Sequence, residues 1–79
     1  MSTVALVGYD RKTEYVGAEY DIPADHLAYA KERAHVRADD PDVSGSYPLD
    51  VQAVKDIAGA IGLKIDAGAC DFFLEGFSD

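Results

Sequence analysis

Residues 3–20 read TVALVGYDRKTEYVGAEY: two runs rich in Val and Tyr, Thr3–Tyr9 and Glu14–Tyr20, on either side of a polar Asp10-Arg11-Lys12-Thr13. Short β-branched and aromatic runs flanking polar turn formers predict a β-hairpin. The first run alternates Val4 and Leu6 with Ala5, Val7 and Tyr9, so it is apolar on both faces. A strand of that kind belongs in the middle of its sheet. The second run carries Glu14 and Glu19, which suits an edge.

Working outward, Pro23 stands where a helix commonly begins, and ADHLAYAKERAHVRA continues with good helix formers, an early acid at Asp25 and bases towards the end. A first helix is expected over 24–37, with Leu27, Ala30 and Ala34 as its buried stripe. Asp39–Pro48 concentrates turn formers and two of the three prolines, which predicts a loop with a short extended piece around Tyr47. Asp50 then reads as an N-cap, Val54, Ile57, Ala58 and Ile61 repeat at helical spacing, and Gly62 supplies a left-handed stop. The closing CDFFLEGF reads as a strand, with Phe72 and Leu74 on one face and Phe73, Glu75 and Phe77 on the other. It needs the first strand as its neighbour. The expected fold is one α+β domain over 1–79, ordered β-β-α-loop-α-β, with a small antiparallel-rich sheet and both helices packed on one face.

Composition narrows the function classes. The net charge of −8 argues against binding nucleic acid through phosphates, and a protein partner is expected to be basic. No apolar run approaches the roughly 20 residues that span a bilayer, and no secretory signal is visible. The single cysteine, Cys70, forms no intramolecular disulfide and fits a reducing cytoplasm, where the chain is expected to reside. Charge is uneven along the chain: residues 1–38 hold six acids and five bases, net −1, while 39–79 hold nine acids and two bases, net −7. The expected partner-binding set is therefore Asp39, Asp40, Asp42, Asp50 and Asp56, with Tyr47 as the aromatic anchor. Asp66, Asp71, Glu75 and Asp79 are expected to extend the same acidic face.

No catalytic set is expected. The acids are scattered, no Gly-rich phosphate loop or Ser-His-Asp arrangement accompanies them, and Cys70 reads as a small packed residue rather than a nucleophile. His26 and His35, nine residues apart on one helix, fall on opposite faces and share no metal. Asp40-Pro41-Asp42-Val43-Ser44-Gly45 fits the opening of a calcium loop, but its twelfth position, where a bidentate Glu is wanted, is Val51. A calcium-binding domain using Asp40, Asp42 and Ser44 is the alternative to a protein-binding module, and no cofactor or metal is assigned. A homodimer or homo-oligomeric structural protein is the third reading.

The segments VALVGYD (Val4–Asp10), SYPL (Ser46–Leu49) and DFFLEGF (Asp71–Phe77) resemble a family of short bacterial proteins of uncharacterised role that carry GYD, YPL and a terminal aromatic-FLE pattern. Some small acidic proteins of this kind look like immunity proteins, which neutralise a toxin by covering its basic active-site cleft. The resemblance implies an antitoxin role and carries over no catalytic residue.

Overall fold

The computed structural model describes residues 2–78. Strands β1 (Ser2–Asp10) and β2 (Val16–Asp21) form the expected antiparallel hairpin. Its turn is fixed by Asp10, whose Oδ1 accepts from the Lys12 and Thr13 backbone N–H groups at 2.8 and 3.0 Å. That is the local bond that makes Asp a turn former. The register shifts between Gly8 and Tyr9, with Gly8 opposite Ala18 and Tyr9 opposite Val16, so Gly17 bulges out of the ladder.

The chain then crosses Pro23, makes a 3-10 turn over Ala24–His26 and enters helix α1 (Leu27–Ala34). This helix is shorter than the 24–37 expected. His35 adopts the left-handed conformation (φ 55°) and its N–H bonds back to the Glu32 and Lys31 carbonyls, closing the helix without a glycine. Sequence reading looks for Gly at such a stop and so runs past it. Helix α2 (Val51–Ile61) matches its signals: the Asp50 side chain accepts from Ala53 N–H at 2.7 Å, and Gly62 ends the helix at φ 75°.

The second departure lies in the segment expected to be a loop. Ser46–Leu49 is a strand, β3, paired antiparallel with the closing strand β4 (Cys70–Ser78) from Ser46↔Glu75 to Leu49↔Phe72. The extended piece around Tyr47 is thus a full sheet member, and the order is β-β-α-β-α-β. Pro48 disguised it, because proline is excluded from central strands but tolerated on an edge whose outward N–H needs no partner. The four strands lie in the order β2-β1-β4-β3, all antiparallel. β1 occupies the interior, β2 is an edge, and β4 neighbours β1, as their hydrophobic patterns require.

One face of this sheet meets both helices. Val4, Leu6, Phe72 and Leu74 pack with Ala30 and Ala34 of α1, Val54 and Ile57 of α2, and Ile22, Val43 and Ala67 from connections. Leu6 and Leu74 are fully buried. Val43 reaches this core from the loop before β3 in the left-handed region (φ 54°), a conformation that costs a β-branched residue about 1–3 kcal/mol. The strain persists because the Val43 side chain is fully buried and the loop is tied on both sides of it.

The loop crosses β4 at Gly76, just past the last residue paired with β3. A side-chain carbon there would fall on the backbone carbonyls of Asp42 and Val43. Gly76→Ala is therefore expected to destabilise the protein by about 1–3 kcal/mol, the usual cost of overpacking a fitted site. Urea denaturation measures it. An unchanged midpoint would mean that the loop does not rest on β4.

Candidate protein-binding face

The acids assigned to a partner from sequence turn out to be engaged within the chain. Asp40 holds its loop together: Oδ1 accepts from Ser44 N–H and Ser44 Oγ, both at 2.7 Å, while Oδ2 accepts from Gly45 N–H at 3.0 Å and from the Tyr47 hydroxyl at 2.6 Å. These donors, Tyr47 foremost, hold the Asp40 carboxyl well below the usual carboxylate range. The same bond raises the Tyr47 phenol. Tyr47 is half-buried against the helix-side core, which removes it from the role of an exposed anchor.

Its neighbours fare similarly. Asp39 accepts from Arg37 Nε and Nη2 at 3.0 and 2.7 Å. Asp50 caps α2. Asp56 accepts from Gln52 at 2.9 Å and pairs with Arg33 at 2.7 Å, joining α2 to α1. Of the expected set only Asp42, exposed beside Pro41, has no side-chain bond of this kind among the described residues. Asp40 directs its oxygens to donors of its own loop, and β3 stands between that loop and α2, where the calcium template expects a direct entry into a helix. Among the described residues no group of three or more His, Cys, Asp and Glu is placed to hold a metal, and no helix is long and apolar enough to cross a membrane.

Nor do the loop, α2 and tail acids form one surface. Asp71 and Glu75 lie on the sheet face turned away from the helices, and Asp79 falls outside the described residues. The acids of the second half are divided between elements, because β4 is paired into the middle of a sheet whose other strands come from the first half and from the loop.

What the sheet does build is a second face. Its cross-strand rows read Asp21–Ala5–Glu75–Ser46 and Glu19–Val7–Phe73–Pro48, followed by Val16–Tyr9–Asp71. Neither helix covers it: the helices pack with the alternate residues, Val4, Leu6, Phe72 and Leu74. Ala5 and Val7 are nevertheless almost fully buried, at 0% and 2% exposure, which places them under the larger side chains of their own face. Tyr9 leans along the sheet, meets Phe73 edge to face at a centroid distance of 5.5 Å and donates its hydroxyl to Glu75 Oε2 at 2.6 Å. That bond to a carboxylate, followed by desolvation, raises the Tyr9 phenol. Phe77 and Val16 stay exposed at 41% and 56%.

Four carboxylates, those of Glu19, Asp21, Asp71 and Glu75, surround this apolar centre, and no strand of the sheet contains a Lys or Arg. A base reaches this rim from the hairpin turn, where Arg11 Nε meets Asp71 at 3.0 Å. The arrangement holds an apolar platform in an anionic rim, which suits an apolar contact flanked by cations. The sequence groups Ala5, Val7 and Tyr9 on one face of the first strand and Phe73, Glu75 and Phe77 on one face of the last, and it counts Asp71 and Glu75 among the partner-facing acids, but it does not join the two strand faces into one surface. The available signal was that both central strands are apolar on two faces while both helices pack on one.

The chain belongs to a family described as a domain of unknown function (DUF7683), whose model matches residues 3–75 and so takes in the rows of this face. No curated protein and no solved structure matches the chain.

Because the folded-state Asp40 carboxyl titrates below its unfolded value, it stabilises the fold above the unfolded pKa, and that contribution is lost as pH falls towards the folded one. Asp40→Asn is accordingly expected to be less stable at neutral pH and to lose less stability below about pH 4 than the parent chain. Urea denaturation over a pH series reads both. Parallel acid limbs for the two proteins would show that Asp40 does not tie the loop.

Proposed function

We propose that this chain is a non-enzymatic binding module for a basic protein partner, in its most concrete form an immunity or antitoxin protein that covers the cationic surface of a toxin. The observation that carries the reading is the uncovered sheet face, where Phe73, Tyr9 and Val7 lie inside four carboxylates with no base in the strands. Support comes from the way the remaining acids are used. Asp39, Asp40, Asp50 and Asp56 are committed to pairs and caps within the chain, whereas Glu19 and Asp21 are exposed without a salt bridge among the described residues.

A rim of like charge around an apolar centre steers an oppositely charged protein into contact, and apolar burial then slows its departure. The module thus moves from the acidic loop, where the sequence placed it, to the open face of the sheet.

Affinity purification from the native host, with the parent chain and with a variant carrying Glu19→Gln, Asp21→Asn, Asp71→Asn and Glu75→Gln, tests this. The parent is expected to recover a basic protein that is toxic when expressed alone and harmless when co-expressed. With the purified pair at low salt, the variant is expected to associate about tenfold or more slowly. Phe73→Ala is expected to act mainly on dissociation. A partner retained undiminished by the fourfold variant, or affinity indifferent to salt, would overturn the reading.

A further inference from the structure

The sheet has two edges, and they differ. β3 is four residues long and carries Pro48, two features that discourage another strand from pairing with it. β2 is six residues long and contains neither Pro nor Lys. Its hydrogen-bond phase follows from Ile22, whose N–H donates to the Val4 carbonyl at 2.8 Å. In an antiparallel ladder the N–H and C=O of one residue point to the same side, and the side alternates along the strand. Tyr20 and Ala18 therefore face β1, while Glu19 and Asp21 turn their backbone groups to the open edge. The side chains of those same two residues stand exposed on the uncovered sheet face. Backbone donors, backbone acceptors and carboxylates thus coincide at alternate positions of one edge.

We propose that this edge accepts an extended basic segment of the partner protein as a fifth strand, with Lys or Arg at alternate positions opposite Glu19 and Asp21. Residues directly opposite in a strand pair share a face, so cations at i and i+2 would each stand beside one of these carboxylates while the peptide groups close the ladder. Val16, exposed on the same face, offers the apolar contact at the start of the strand. A second copy of this chain does not fit, because pairing two β2 strands sets Glu19 and Asp21 against their counterparts on a molecule of net charge −8. The proposal rests on the preceding reading that the partner is basic, and it adds the mode of contact.

The probe is the synthetic hexapeptide Val-Lys-Val-Lys-Val-Lys, compared by NMR titration of the labelled full chain with the permuted Lys-Lys-Lys-Val-Val-Val. The alternating peptide is expected to bind about tenfold more tightly, to shift the amide resonances of β2, and to slow exchange of the Glu19 and Asp21 N–H groups. Glu19→Pro removes one outward N–H without removing a bond to β1, and is expected to abolish the preference for the alternating peptide. Glu19→Gln, which keeps that N–H, is expected to weaken binding only about threefold. Should the proline variant fail to fold, N-methylation of alternate peptide groups in the probe interrupts the same ladder from the other side. Equal binding of both peptides, with shifts at Phe73 and Glu75 but none along β2, would overturn strand addition and leave the open face as the docking surface. If neither peptide moves a resonance of that face at low ionic strength, the underlying reading falls too.

Discussion

The pairing of β1 with β4 is the constraint on which the rest of the structure depends. It runs antiparallel from Ser2↔Ser78 to Asp10↔Cys70 and joins the two ends of the chain through the centre of the sheet. Closing so long a loop has an entropic cost that local contacts do not repay, so the strands that meet must bury surface on both sides. Leu6 and Leu74 do so against the helices, Val7 and Phe73 on the opposite face. β2 is then attached to one side of the pair by a short hairpin and β3 to the other by the loop that Asp40 holds.

The acidity of the chain divides into two populations with different physical roles. One consists of carboxylates that act as local acceptors: Asp10 in the hairpin turn, Asp40 in the loop, Asp50 at the start of α2 and Asp66 on the Gly68 N–H. A short side chain with a charged oxygen satisfies orphan backbone N–H groups that no other residue reaches. Asp40 is the most heavily used of them, and its bonds keep the strained Val43 seated over Gly76. The other population lies on the open sheet face, where Asp71 meets Arg11, Glu75 accepts from the Tyr9 hydroxyl, and Glu19 and Asp21 have no salt bridge among the described residues. There the carboxylates ring an aromatic and aliphatic surface, and like charges gathered at its rim attract an opposite charge that approaches.

Much of the architecture was legible in the residues. Local signals with a direct mechanical meaning were read correctly: Asp50 as a cap, Gly62 as a stop, the two-faced apolarity of β1 and the alternation of β4. The signals that misled were equally local. His35 closes α1 in a conformation usually left to glycine, and Pro48 sits within a strand because only its inner side is paired. Composition cannot separate such tolerated exceptions from the rule, since both depend on what the neighbouring strand or core supplies.

By itself the sequence determined the hairpin, the second helix and the closing strand, the face each presents and the overall negative charge, because periodicity and charge are properties of a linear chain. That Ser46–Leu49 is a strand was decided by its pairing with β4. Only the tertiary structure decided which carboxylates remain free. Pairing β4 between β1 and β3 separates Asp71 and Glu75 from the acids near them in sequence and sets them in rows with Asp21 and with Tyr9 of the first half. A run of acids along a chain is not a surface. Whether a carboxylate faces a backbone N–H, an arginine or solvent is settled by strand order and register, which are long-range facts.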